Sequence, residues 1–324
     1  MAKQDKKVVE KLPDLPQRLY TKDDEPNADK SIQIFRNTPK LFNELKSVLQ
    51  QDEWDEIFYS KLGVFLQYHE KKISWASRLA HYVLTFQLSC LKKNEIWSLV
   101  GVTPIRLSLN EFSHITGLNC EYREKVMCPV VEVTEEMRDF WERLGVSVGF
   151  GPSYDELVAA CKNCANWDRD DRLRLGYLAI LASCIDAQSH TKPIDVNLAM
   201  LVMDLEEFVE YPWGRVAFKK VISSVKAADI TRTYHIDGFA QILQSWVYFA
   251  LPGFASELGA PFNPSSDLPL LAYGGSWGRK HMRACMLRQV YFSSFLTKFQ
   301  SLKLFLNGDF KLMSHLRLPS EVSS

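Results

Sequence analysis

The sequence lacks the features that place a protein in a membrane or in an oxidising compartment. No apolar run reaches the roughly 20 residues that a membrane span needs, and the N-terminus has no apolar core of a secretory signal. The seven cysteines are an odd number at irregular spacings, which indicates free thiols rather than a disulfide framework. We therefore expect a soluble, intracellular protein with no membrane partner.

The sequence also lacks the common catalytic and metal-binding signatures. The segment GGSWGRK (274–280) does not have the glycine spacing of a phosphate-binding loop or a dinucleotide fingerprint. The only CxxC motif, Cys161–Cys164, has no second pair of ligands for a structural zinc ion. His235, Asp237 and Cys285 follow the order of a cysteine protease, but Cys285 has no glycine-rich surroundings for an oxyanion hole. We therefore predict no enzymatic activity, no cofactor and no metal.

Apolar periodicity is the strongest structural signal that is present. Apolar residues recur every three or four positions along most of the chain, and the middle of DRLRLGYLAILASC (171–184) is apolar on nearly all sides, which predicts a central helix. The stretch around 94–108 is different, because it holds strand-type residues punctuated by Gly101 and Pro104. The predicted fold class is a mainly α-helical globular domain that can include a small β-hairpin element.

The stretch PIRLSLNEFSHITGL (104–118) can be interpreted either as a reaction centre or as a helix with its ends. Ser108 and Glu111 have the spacing of a capping box, and Gly117 is placed to end the helix in a left-handed conformation. His114 falls in the middle of that helix, and a Ser–His pair without an orienting acid and an oxyanion donor does not make a triad. We predict that this stretch serves folding.

Other helix boundaries follow from the same chemistry. Ser153 and Glu156 repeat the capping box, and Asp195 and Asp237 are each placed to cap a helix. Pro212–Gly214 predicts a turn into another helix.

Charge is unevenly distributed, although the formal net charge is zero. Residues 279–324 carry eight basic and two acidic residues, which leaves 31 basic and 37 acidic residues in the rest of the chain. This basic surplus either complements the acidic body within the molecule or contacts an anionic partner. The candidate contacts for an anionic partner are Arg279, Lys280, Arg283 and Arg288.

Composition and charge together predict four segments. The first 30 residues carry seven basic and seven acidic residues with three prolines, so little of this stretch can be buried. The segments are a disordered leader (1–30), a helical domain (31–255), a Pro/Gly-rich connection (256–278) and a basic C-terminal extension (279–324).

Several sequence boxes occur together in this chain. They are HYVL (81–84), KKNEIW (92–97), PIRLSLNEF (104–112), ITGLNC (115–120), DRLRLGYLAILASCI (171–185) and FVEYPWGRVAF (208–218). In combination they resemble a plant-specific family of domains of unknown function that is expanded in crucifers. The resemblance extends over about residues 55–250.

The resemblance implies a biological context more than a mechanism. Members of that family often lie N-terminal to SUMO-type cysteine protease domains, including copies carried by Mutator-like transposable elements. The resemblance implies a nuclear location and a non-enzymatic interaction or targeting module with an unidentified protein partner. Nothing in this chain matches the catalytic His, Asp, Gln and Cys of the protease, so no catalytic residue is carried over.

Two alternatives to a protein-interaction module follow from the sequence. One is a nucleic-acid-binding accessory domain that uses the basic C-terminal segment, in which aromatic residues are interleaved with cations. The other is a truncated copy without a selected function.

Overall fold

A computed structural model describes residues 16–20, 26, 32–33, 38–101, 103–122, 132–262 and 267–275. Helices form most of this described part, and its β structure is a two-stranded antiparallel hairpin. The predicted fold class, mainly α-helical with a small hairpin, is confirmed. No helix of the described ranges has both the length and the apolar character needed to cross a bilayer.

The secondary structure follows this order. The α-helices of the described residues are α1 (Thr38–Val48), α2 (Gln51–Tyr59), α3 (Val64–Glu70), α4 (Ser77–Leu84), α5 (Leu109–Thr116), α6 (Glu135–Leu144), α7 (Tyr154–Cys161), α8 (Arg169–Ile180), α9 (Val196–Met200), α10 (Leu205–Glu210), α11 (Trp213–Ala227), α12 (Ile242–Ala250) and α13 (Pro252–Leu258). The strands β1 (Ile96–Val100) and β2 (Thr103–Leu107) lie between α4 and α5. A π-helical turn, Leu181–Ile185, continues α8.

Two helices occupy the centre of the molecule. In α8 every residue from Leu173 to Ile180 is buried, and the helix packs against α1, α2 and α7. In α12 every residue from Ile242 to Tyr248 is buried, and the helix packs against α4, α5 and α13. The prediction that the middle of DRLRLGYLAILASC is central is confirmed, because a helix that is apolar on all sides is stable only when surrounded.

The hairpin is extended on one side by irregular chain. β1 and β2 pair in antiparallel register, with Ile96 opposite Leu107. On the other edge of β1, the Leu99 N–H donates to the Phe86 carbonyl (3.0 Å). Residues 16–20 lie alongside this irregular chain, since the Leu19 N–H donates to the Gln87 carbonyl at 2.9 Å. Part of the segment predicted as a leader is therefore paired with the domain.

Most predicted helix caps are confirmed, and one is wrong. Ser108, Ser153 and Asp195 accept backbone hydrogen bonds at the starts of α5, α7 and α9. Asp237 does not cap α12, which begins five residues later at Ile242. The reason is that the Asp237 N–H donates to the Ser224 hydroxyl on α11 (2.9 Å), and Gly238 turns the chain with φ +78° before α12 can start.

The Pro/Gly-rich stretch carries local structure of its own. Pro252 begins α13, and Pro269–Leu271 forms a short 3₁₀ turn. The Ser74 N–H donates to the Gly274 carbonyl (2.8 Å), so the chain at Gly274 lies against the helical body. The extension from 279 onward lies outside the described residues, and the domain boundaries stay predictions.

Candidate functional site

The most motif-like stretch is confirmed as a helix start. The Ser108 hydroxyl accepts from the Asn110 N–H (3.2 Å), and the Glu111 carboxylate accepts from the Ser108 N–H (2.7 Å). The His114 side chain is exposed, and its ring lies 5.1 Å from the Phe249 ring. Ser108 and Glu111 are therefore used in folding, and His114 packs at the surface.

The CxxC motif lies in the interior at the end of α7. Burial raises the pKa of the Cys161 thiol to about 12 and also raises the pKa of Cys164, so both thiols are protonated at neutral pH. The Cys164 thiol donates to the Cys161 carbonyl at 3.3 Å. Within the described ranges no three His, Cys, Asp or Glu side chains are grouped as metal ligands, and Cys285 lies outside those ranges.

The buried carboxylates of the described part are used to join elements. Each is paired with a cation: Glu53 with Arg172 (2.5 Å), Glu111 with Arg106 (2.8 Å), Asp186 with Lys220 (2.6 Å), and Asp171 both with Arg174 of its own helix (2.9 Å) and with Arg143 of α6. The hydrogen bonds from Arg172 hold the pKa of Glu53 below its usual range, whereas burial raises the pKa of Asp171. A buried ion pair of this kind is expensive to break, which is typical of a structural rather than a catalytic role.

Helix α11 packs beside α5 along its length. The Gly214 N–H at the start of α11 donates to the Asn119 carbonyl just after α5 (2.9 Å). The ring centroids of Phe112 and Phe218 are 5.5 Å apart between the two helices. At the far end of α11 the Lys226 ammonium donates to the Lys92 carbonyl (2.8 Å), and Lys92 shares a cleft with the start of α5. The two helices therefore run antiparallel.

One side of α11 carries a line of cations, which we name the cationic row: Arg215, Lys219 and Lys226. Spacings of four and seven residues place them on the same side of the helix, over about 16 Å at 1.5 Å per residue. The sequence of α11 contains no Asp or Glu, and no carboxylate of the described residues forms an ion pair with the cationic row. Lys220 points elsewhere and pairs with Asp186. Within the described residues, no carboxylate therefore neutralises the charge of the cationic row, although Arg215 and Lys226 donate to backbone carbonyls.

The cationic row is extended at both ends, and we name the whole surface the cationic face: the cationic row with Lys92, Lys93 and Tyr122. Lys92 and Lys93 are exposed and line an open cleft with the start of α5. Tyr122 is 65% exposed, and the Arg215 guanidinium carbon lies 5.3 Å from its ring centroid. The Arg215 guanidinium also donates to the carbonyls of Cys120 (2.8 Å) and Glu121 (3.1 Å), which ties the segment of Tyr122 to α11.

The sequence-predicted contacts and the cationic face are different residues. Arg279, Lys280, Arg283 and Arg288 lie outside the described residues, so they stay predictions. Sequence reasoning missed the cationic row, although the segment RVAFKKVISSVKA (215–227) shows the cations at helical spacing without a carboxylate. Periodicity places them on one side of a helix but does not tell whether that side is covered.

The described part of the chain is thus a mainly α-helical domain with an exposed cationic face. Residues 84–224, less than half of the chain, match the family model described as a domain of unknown function (DUF1985). The matched range contains the hairpin, α5 and most of α11, including Arg215 and Lys219. No curated protein and no solved structure matches the chain.

Proposed function

We propose that this chain is a non-enzymatic interaction module that binds an anionic partner through the cationic face. The observation that carries the proposal is the cationic row, since three cations on one side of α11 have no carboxylate partner within the described part. In contrast, the buried carboxylates of the same part are each held by a cation. Ionisable groups in the interior thus serve folding, whereas the cations of the cationic row have no carboxylate partner among the described residues. Elsewhere on the face, Lys92 pairs with Glu95 (3.3 Å).

The wider context of the proposal comes from the sequence boxes. Their resemblance to domains that accompany SUMO-type proteases supports a nuclear location and a targeting role. A second, separate candidate site for an anionic partner is formed by the basic C-terminal residues Arg279, Lys280, Arg283 and Arg288.

Retention on immobilised heparin tests whether the cationic face recognises anions. We expect the variant K93Q/K219Q to elute at lower salt than the unchanged chain, because it removes two exposed cations of the face. Neither side chain forms an ion pair with a carboxylate of the described residues. The matched control is K162Q/K192Q, which removes two exposed lysines on other elements with the same change in net charge.

The comparison of these variants decides the proposal. Earlier elution of K93Q/K219Q than of K162Q/K192Q supports a specific face. Equal elution of the two variants would mean that only total charge matters, which contradicts the proposal. A further variant, R279Q/K280Q/R283Q/R288Q, measures the contribution of the C-terminal residues independently.

A further inference from the structure

We infer that the cationic face binds single-stranded nucleic acid, with phosphates along the cationic row and an unpaired base stacked on Tyr122. This inference rests on the proposed function and names the chemistry of the partner. Three features of the face lead to it: its polarity, its length, and the position of its aromatic ring.

The polarity of the face favours phosphate over a folded protein surface. The exposed positions of α11 are Lys219, Ser223, Lys226 and Ala227. Among the described residues, those that line the adjoining cleft are polar or charged except Leu109, and they include Glu95, which pairs with Lys92. Protein interfaces have an apolar core, are depleted in lysine and depend on anchors that fill pockets. Interfaces with nucleic acid are polar and positively charged. The cationic face resembles the interfaces with nucleic acid in this respect.

The length of the cationic row suits a chain of phosphates. Arg215 and Lys219 are about 6 Å apart along the helix axis, and Lys226 follows about 10 Å further on. Phosphates of one strand follow each other at about 3.4 Å along a duplex axis and are more widely spaced in an extended strand. The row therefore spans several consecutive phosphates, and Lys92 and Lys93 continue it beyond Lys226.

Tyr122 is the feature of the cationic face that favours binding of a single strand over binding of a duplex. Its ring is 65% exposed, and Arg215 lies near the ring while donating to the carbonyls of the two preceding residues. This arrangement holds an aromatic ring in place next to a phosphate-binding cation. Bases stack on such rings only when they are unpaired, because a duplex keeps its bases inside.

Fluorescence anisotropy with a labelled oligo(dT) of about 12 nucleotides tests the inference on the full chain. We expect Y122A to weaken binding about 5- to 100-fold through lost stacking, while Y122F keeps most of the affinity. We expect K93Q/K219Q to weaken binding and to reduce the slope of log affinity against log salt by about 1.4, since each phosphate contact in a single strand contributes about 0.7. K162Q/K192Q serves as the control and is expected to leave both quantities unchanged.

The outcomes separate this inference from the proposed function. Equal binding of a duplex of the same length, or an unchanged affinity of Y122A, would overturn recognition of a single strand. If poly-glutamate displaces oligo(dT) as well as unlabelled oligo(dT) does, the partner is an acidic protein segment and the inference is wrong. If oligo(dT) does not bind but heparin retention still depends on Lys93 and Lys219, the inference fails and the proposed function stands. If neither depends on these lysines, both fail.

Discussion

Arg106 and Glu111 form a buried ion pair across the turn that joins β2 to α5. Their side chains are 7% and 2% exposed, and Nη2 of Arg106 lies 2.8 Å from Oε1 of Glu111. The other carboxylate oxygen accepts from the Ser108 N–H at 2.7 Å. The Glu111 carboxylate therefore both caps α5 and neutralises a cation on β2. Because α5 packs beside α11, this pair also supports the position of the cationic face.

We expect E111Q to lower the free energy of unfolding by about 3–5 kcal/mol, because it removes the negative charge that pairs with the buried Arg106 guanidinium. Urea unfolding followed by circular dichroism measures the change. The matched control is E156Q, since Glu156 makes the same bond to the Ser153 N–H (2.7 Å) but has no arginine partner among the bonds of the described residues. E156Q should lower the free energy of unfolding by about 1 kcal/mol. Similar losses for E111Q and E156Q would show that the ion pair adds little to the cap.

Two glycines that end helices give a second prediction. Gly117 and Gly145 both have left-handed backbones, with φ +70° and +75°. A Cβ at residue 145 would meet nothing within 4 Å, whereas one at residue 117 would lie 2.9 Å from the Leu268 side chain. We expect G145A to cost about 1–2 kcal/mol for the left-handed backbone alone. G117A should cost more, because Leu268 has to move.

Unfolding midpoints of the two alanine variants in urea check the glycine prediction. A larger loss for G145A than for G117A would contradict it. That result would mean that Leu268 moves aside without a loss of packing at the end of α5.

The pair of Glu53 and Arg172 predicts a pH dependence of stability. Hydrogen bonds from Arg172 lower the pKa of Glu53 in the folded state, so the ionised form is the one that stabilises the fold. This contribution is complete above the unfolded pKa of about 4.3 and is lost as the pH falls through the lower folded value. The stability difference between the unchanged chain and E53Q should therefore be largest near neutral pH and shrink in acid.

Thermal unfolding of the unchanged chain and E53Q across pH 3 to pH 7, about the range in which carboxylates titrate, measures this difference. A difference that grows as the pH falls would contradict the assigned direction of the Glu53 pKa. E56Q is the control, because Glu56 is exposed and its pair with Arg169 is solvated.

The interior thiols give a fourth prediction. Cys161 and Cys164 are buried with raised pKa values, so iodoacetamide at pH 8 should leave both unmodified in the folded protein and modify both in denaturant. Mass spectrometry of the labelled peptides reads out each site, with the partly exposed Cys90 as the internal control. Rapid labelling of Cys161 in the folded chain would contradict the burial and the raised pKa of this thiol.

Local structure could be predicted where a short stretch carries its own signal. The capping box at Ser108 and Glu111 and the left-handed stop at Gly117 are formed by neighbours within one helical turn, and both are confirmed. The hairpin was predicted for the same reason, from strand-type residues around 94–108 that are punctuated by Gly101 and Pro104. Asp237 shows the limit, because its backbone is drawn to Ser224 on another helix and no local pattern records that contact.

The sequence by itself determined the mainly α-helical fold class, the helix caps and the residues that share one side of a helix. These features depend on periodicity and on bonds between near neighbours. Only the tertiary structure decided which stripe stays exposed. Arg106 is buried against Glu111, whereas Lys219 and Lys226 are exposed on α11 and Arg215 on the same side is half-buried. Burial depends on which distant helices pack together, and that packing decided that this line of regularly spaced cations is not covered by another helix.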